Sequence, residues 1–185
     1  MTSENSTVLT LGASAPDFEL VDTVSGQRRS LAELKSDKAT VVMFICNHCP
    51  YVKHVDQALV QLARDYMPRG VSFIAISSND PVKYPEDSPE RMREEALRVG
   101  YPFPYLFDET QDVARAYGAV CTPDTFIFDG QMKLVYRGQL DDTRPNSGMP
   151  ATAADVRAAL DAVLAGLPVN PVQKPSVGCS IKWRD

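Results

Sequence analysis

Val-Val-Met-Phe-Ile-Cys-Asn-His-Cys-Pro-Tyr-Val, residues 41–52, joins two hydrophobic patterns of different period. Its first half, Val41 to Ile45, is a continuous apolar run rich in β-branched residues, the pattern of a strand buried on both faces. Beyond Pro50 the apolar residues fall at Val52, Val55, Leu59, Leu62 and Tyr66. That spacing of three and four predicts an amphipathic helix over about 50–67, with proline in its favoured first turn. Pro68 and Gly70 end it, and Val71 to Ser77 reads as a second buried strand. Strand, helix and strand with short joins form a parallel, right-handed βαβ unit. Cys46 and Cys49 therefore sit where the carboxyl end of a central strand meets a helix N-terminus, the ligand-binding edge of an α/β sheet.

Outward from this unit the punctuation is regular. Asp80 to Ser88 is proline-rich and reads as a surface excursion, and Ser88-Pro89 supplies N-cap and first turn for a helix reaching about Val99. A short helix over about 109–117 has Asp108 as its N-cap, Gln111 in the capping-box position and Gly118 after its end. Asp129-Gly130, between Thr125–Phe128 and Leu134–Tyr136, signals a hairpin. Thr152 with Asp155 opens a last helix, with Ala153, Val156, Leu160, Val163 and Leu164 facing inward. Near the start, Phe18–Leu20 and Arg28–Leu31 bracket Ser25-Gly26 in a hairpin at the sheet edge. The expected organisation is a flexible N-terminus (1–11), one α/β domain (12–167) and a tail (168–185). That tail holds three prolines and the single tryptophan, and is expected to pack on the domain.

With 185 residues, 44% hydrophobic and 23% charged, the chain can bury one ordinary core and is not disordered. Nineteen basic against twenty-four acidic residues give a net charge of −5, and the longest basic cluster is Arg28-Arg29. This argues against a nucleic-acid partner. The longest apolar run, Val41 to Cys46, is far short of the roughly 20 residues of a membrane span. The first residues, Met-Thr-Ser-Glu-Asn-Ser-Thr, lack the basic and apolar regions of a secretory signal. The expectation is a soluble, cytoplasmic protein with no membrane partner and with oligomerisation left open. In that setting cysteines at 46, 49, 121 and 179 are reactive, metal-binding or packed thiols before they are structural staples.

An unperturbed thiol, with a pKa of about 8.5, is only about 3% thiolate at neutral pH. Free N–H groups and the dipole at a helix N-terminus favour an anion there, and a protonated His48 would add to that, so Cys46 is the expected thiolate. Thiol–disulfide exchange follows: Cys46 attacks and Cys49 resolves. Cys46, His48, Cys49 and Cys121 also form a soft set suited to Cu(I) or Zn, which makes a non-enzymatic metal-binding module a further alternative. Lys53 and His54 read as exposed, Asp141, Asp142 and Arg144 as a solvated turn, and the aromatics of 101–107 as core edge. Neither a Gly-rich phosphate loop nor a Ser/His/Asp order appears, and no cofactor is expected.

Gly12-x-x-Ala15-Pro16-Asp17-Phe18-x-Leu20, the strand entering Cys46-x-x-Cys49, Phe107-Asp108 to Tyr117-Gly118, and Thr122-Pro123-Asp-Thr-Phe-Ile-Phe-Asp129 carry a resemblance over about residues 12–138. Together they resemble the redoxin branch of the thioredoxin-like superfamily, which holds alkyl hydroperoxide reductase/thiol-specific antioxidant and TlpA-like proteins. Cys-Asn-His-Cys-Pro-Tyr-Val (46–52) and Gly-Cys-Ser-Ile-Lys-Trp (178–183) look like a peroxiredoxin-like subgroup. The resemblance implies a thioredoxin-like fold with a mixed central sheet, helices on both faces and an added N-terminal hairpin. It implies a cis Pro123 against the cysteine pair, with Thr122 offering its backbone to a substrate. Cys121 would lie nearby as a modulating or third redox thiol, and Cys179 would act as a resolving cysteine or hold the tail down. The substrates implied are protein or small-molecule disulfides or hydroperoxides, with a thiol electron donor.

Departures sharpen the choice. Ile45 stands where thioredoxins carry Trp, Asn47-His48 replaces Gly-Pro, and Thr40 replaces the upstream buried acid. The inter-cysteine histidine is similar to the oxidising DsbA-type site. Ala39 and Met43 stand where peroxiredoxins place Pro and Thr/Ser, so a thiol peroxidase with Cys46 as peroxidatic cysteine is the alternative to the thiol–disulfide oxidoreductase.

Overall fold

The computed structural model describes residues 9–185, and the expected flexible N-terminus falls mostly outside them. In chain order the elements are β1 (Glu19–Asp22), β2 (Arg28–Ser30), α1 (Leu31–Leu34), β3 (Ala39–Phe44), α2 (Pro50–Tyr66), β4 (Val71–Ser77), α3 (Pro89–Val99) and β5 (Tyr105–Phe107). They continue with α4 (Asp112–Tyr117), β6 (Cys121–Thr122), β7 (Asp124–Asp129), β8 (Leu134–Gly138), α5 (Ala154–Leu164) and β9 (Cys179–Ser180). Seven strands form one mixed sheet in the order β2-β1-β5-β4-β3-β7-β8, and β6 with β9 forms a separate two-stranded ribbon. The β3–β4 and β4–β5 pairs are parallel, whereas β7 runs antiparallel to β3 and β8 antiparallel to β7. This is the thioredoxin-like α/β arrangement, with the β1–β2 hairpin added at one edge.

β3 is buried along its whole length because both faces of the sheet are covered, and its alternation assigns each residue to one of two cores. Val41 and Met43 pack with α2, α3 and α5 through Val52, Val55, Leu62, Met92, Val156 and Leu160. Val42 and Phe44 face the other way, toward Phe18, Leu31, Ala114, Tyr117 and Phe126. On that second face Tyr117 meets Phe126 and Phe128 edge-on at 5.5 and 6.0 Å between ring centroids, the favourable geometry for aromatic quadrupoles. No helix among the described residues is long and apolar enough to cross a membrane.

Three local expectations are corrected. The fourth helix starts at Asp112, not near Glu109, because Gln111 adopts a left-handed conformation (φ 68°). Asp108 does not cap as an N-cap residue; its carboxylate reaches forward to accept from the N–H groups of Val113 and Ala114, and Gln111 bonds the carbonyls of Ser78 and Lys182 instead of closing a box. Gly118 ends this helix with φ 68°, as its position after the last apolar residue predicts.

The second correction concerns the last helix. It is not opened by Thr152: Ala153 precedes it at φ 59°, and the Leu140 carbonyl takes the N–H groups of Asp155 and Val156. The third lies just beside it. Asp141 is not part of a solvated turn but is buried, accepting from the N–H groups of Thr152, Ala153 and Thr143 and from the Thr143 hydroxyl. Burial pushes the Asp141 pKa up, but these four donors outweigh it and leave the pKa below the ordinary carboxylate value. A depressed folded pKa contributes stability above the unfolded value and loses it as pH falls through the folded one. Asp141→Ala is therefore expected to cost about 2–3 kcal/mol near neutral pH, through orphaned N–H groups ahead of α5. The deficit relative to wild type should shrink in thermal melts run toward strongly acidic pH.

The tail is stitched to the domain. Ser176 donates to Asp124, Ile181 donates to the Val120 carbonyl, and Lys182 donates to Asn79. Ile181 is buried, and the Arg115 guanidinium lies over the Trp183 ring at 4.8 Å.

Candidate active site

The β3–α2 junction brings the cysteine pair to the sheet's edge. Both thiols are buried, Cys46 with 2% of its surface exposed and Cys49 with none. Cys49 is the residue that caps α2, with Pro50 in the first turn as the sequence requires. The peptide between Thr122 and Pro123 is cis, and this loop closes over both sulfurs. Cys46 Sγ lies 3.5 Å from the Thr122 hydroxyl, and Cys49 Sγ lies 3.6 Å from the Thr122 carbonyl. The structure thus brings together Cys46, Cys49, Thr122 and Pro123. A cleft lined by Tyr51, His54, Pro123 and Arg144 opens beside them.

The two thiols are electrostatically coupled and share a proton as one unit, with Cys49 the more acidic member. Cys49 is held below the ordinary thiol range, first by the neighbouring Cys46 side chain, which outweighs the opposing effect of burial. Cys46 is held well above the ordinary thiol range, first because it donates to Cys49, then by burial and by the nearby negative charge of Asp87; only the Thr122 hydroxyl works the other way. The pair is one titrating unit: it gives up a first proton readily and a second with difficulty.

His48 packs against the 80–88 stretch: its Nδ1 is 2.6 Å from Asp87 Oδ2, without the alignment of a hydrogen bond, and its ring stacks on Tyr84 within 4° of parallel. Asp87 is fully buried, and its carboxylate also accepts from the Asn47 N–H at 2.8 Å and the Asn79 amide at 2.9 Å. Asn47 is pinned in turn by the Tyr105 hydroxyl and the Glu86 carbonyl. The proline-rich stretch 80–88 is therefore not merely a surface excursion, because it inserts Asp87 beside Cys46. Sequence reasoning missed Asp87 and Asn47. The absence of an acid at position 40 was the available signal that a carboxylate enters from elsewhere.

The remaining candidates separate. The donor atoms that converge are those of Cys46, His48 and Asp87, within 4.8 Å of one another, in place of the all-Cys/His set that would suit Cu(I). Two donors already occupy the Asp87 oxygens, which weakens it as a ligand. Cys121 is half-buried, and burial followed by the charge of Asp124 pushes its pKa up to about 12, so it is a neutral thiol. Cys179 lies in β9, opposite Thr122. His54 is not simply exposed, since its Nε2 is 2.8 Å from the Thr143 hydroxyl. Lys53 is exposed, and Phe103 and Tyr105 are buried.

Relatives share this architecture. The chain is 27% identical over 136 residues to the thiol-disulfide oxidoreductase ResA of Geobacillus thermodenitrificans, covering 72% of this chain and 73% of that protein. A crystal structure of a conserved protein from Geobacillus kaustophilus superposes with a TM-score of 0.94 at 62% identity, covering 96% of this chain and 94% of that one. A hypothetical protein from Sinorhizobium meliloti superposes with a TM-score of 0.93 at 49% identity, covering 96% and 97%. The model of the AhpC/TSA family matches residues 11–137, the span that contains the β3–α2 junction, Asp87 and the cis-proline loop, and the chain belongs to that family.

Proposed function

We propose that Cys46 and Cys49 carry the chain's thiol–disulfide oxidoreductase activity, with Cys46 meeting the substrate and Cys49 serving as its base and then as the resolving thiol. The observation that carries this reading is the convergence of both sulfurs on Thr122 at the N-terminus of α2. Cys49 is fully covered, whereas Cys46 keeps a little exposure, so an incoming disulfide reaches Cys46 first.

The proton and electron movements balance. As the Cys46 sulfur attacks one substrate sulfur, its proton crosses to the Cys49 thiolate; the other substrate sulfur leaves as thiolate and takes that proton. Cys49, again a thiolate, attacks the Cys46 sulfur of the mixed disulfide. A 46–49 disulfide forms, and the second substrate thiolate departs. Two electrons have passed from the pair to the substrate, and a thiol donor returns them.

A redox titration in glutathione buffers, with free thiols alkylated and linked cysteines mapped by mass spectrometry, tests this. The expected result is one two-electron transition that links 46 to 49. An oxidised chain in which both remain alkylatable would overturn the reading. The peroxidase alternative is compatible with the same scaffold, and it predicts hydroperoxide consumption much faster than that of a free thiol.

A further inference from the structure

The C-terminal tail crosses the active site on a built path. It is anchored before the crossing by Ser176 on Asp124, and after it by Ile181 on Val120 and Lys182 on Asn79 and Gln111. Between these anchors β9 pairs antiparallel with β6, which sets Cys179 directly opposite Thr122. The approach is so close that a Cβ on Gly178 would stand 1.9 Å from the Thr122 carbonyl oxygen, so only glycine fits there. Cys49 Sγ points at that same carbonyl, and Cys179 packs against the core cluster that contains Cys46 and Cys49. Thr122 is thus the common neighbour of three cysteines, touched by Cys46 and Cys49 and paired with Cys179. The backbone edge of the Thr122–Pro123 loop is occupied by the chain itself.

We propose that Cys179 is a third redox thiol of this site, exchanging with the Cys46–Cys49 disulfide at the Cys49 sulfur, and that the tail acts as a tethered substrate strand on the Thr122–Pro123 loop. In the exchange the Cys179 thiolate attacks Cys49; the 49–179 bond forms and the 46–49 bond breaks. The released electron pair stays on Cys46, which takes up a proton equivalent to the one Cys179 gave up. The chain keeps one disulfide throughout, so no further oxidant is needed. The product differs in shape and reactivity: the tail is pinned across the loop, and Cys46 is a free thiol again. A substrate then has to reach Cys46 without pairing to the loop edge, which favours small disulfides over extended peptide strands. The proposal uses the redox pair described above, but its decisive variant does not require that pair to close.

The test compares wild type, Cys46→Ser, Cys179→Ser and Gly178→Val in glutathione buffers, with acid quenching, alkylation and disulfide mapping. Wild type should show the 46–49 link together with a 49–179 fraction across its transition, and Cys179→Ser should show 46–49 alone. In Cys46→Ser, oxidation entering at the half-exposed Cys179 should end in a 49–179 link in most of the chains. Gly178→Val, which forces the tail off Thr122, should reduce the 49–179 species at least tenfold and retain 46–49. If Cys46→Ser yields only glutathionylated cysteine with no 49–179 link, the proposal is overturned. If that variant does not fold, the wild-type map decides, and a complete lack of 49–179 there also overturns it. Failure of wild type to form 46–49 sinks the functional reading separately, since Cys46→Ser reports on Cys179 without it.

Discussion

Cys46→Ser is expected to lower the rate of disulfide reduction by about a hundred- to a thousandfold, while Cys49→Ser should stop the reaction halfway. The asymmetry follows from exposure and protonation. Cys49 has no accessible surface, so removing Cys46 takes away the one sulfur of the pair that a substrate can reach. A serine hydroxyl at position 46 can still donate to the Cys49 thiolate, so the fold is retained and the loss is chemical. Cys49→Ser instead leaves the attacking sulfur in place and removes its base and resolver. The first step is then slowed, and the mixed disulfide on Cys46 accumulates because its resolving sulfur is gone. Incubation with a small aromatic disulfide, monitored by released thiol and by intact mass, distinguishes the two. If Cys46→Ser retains rapid turnover, or if the adduct in Cys49→Ser lies on another cysteine, the roles given to the pair are wrong.

Much of the scaffold was legible in the sequence because it rests on short-range periodicity. Val41 to Ile45, buried on both faces, and the three-and-four spacing from Val52 to Tyr66 each fix an element without reference to anything distant. The Asp129-Gly130 hairpin and the βαβ unit follow in the same way. The errors that bear on the site share a cause: each involves a side chain whose partner is far along the chain. Asp141 reads as a turn residue because the N–H groups it accepts from, at Thr152 and Ala153, lie eleven and twelve positions on. Asp87 reads as loop because its partners are Asn47 and His48, forty and thirty-nine positions before it. Local pattern fixes which backbone groups are paired within an element. It does not say which carboxylate arrives from another loop, and the charge balance of the site depends on that arrival. His48 shows the consequence: alone it predicts a cation stabilising Cys46, whereas in place it leans on Asp87, and the charge felt at Cys46 is negative.

Asp87→Asn should make the site more oxidising, raising its midpoint potential by about 30 mV, roughly a tenfold change in the two-electron equilibrium. The sign comes from comparing the two redox states. The 46–49 disulfide is neutral and indifferent to a nearby charge to first order, whereas the reduced pair carries a thiolate that a buried carboxylate repels. Asp87 therefore raises the free energy of the reduced state and biases the wild-type pair toward giving electrons away. Asparagine keeps the size and still accepts from the Asn47 N–H, but it removes the charge. Losing that charge favours the thiolate, so the ultraviolet thiolate absorbance should also develop at lower pH in the variant. The substitution sets an amide against the Asn79 donor, which is expected to cost about 1–3 kcal/mol of stability; the titration must be run well below the melting temperature. A midpoint unchanged by Asp87→Asn, or shifted toward reductant, would mean that the carboxylate is not felt at Cys46.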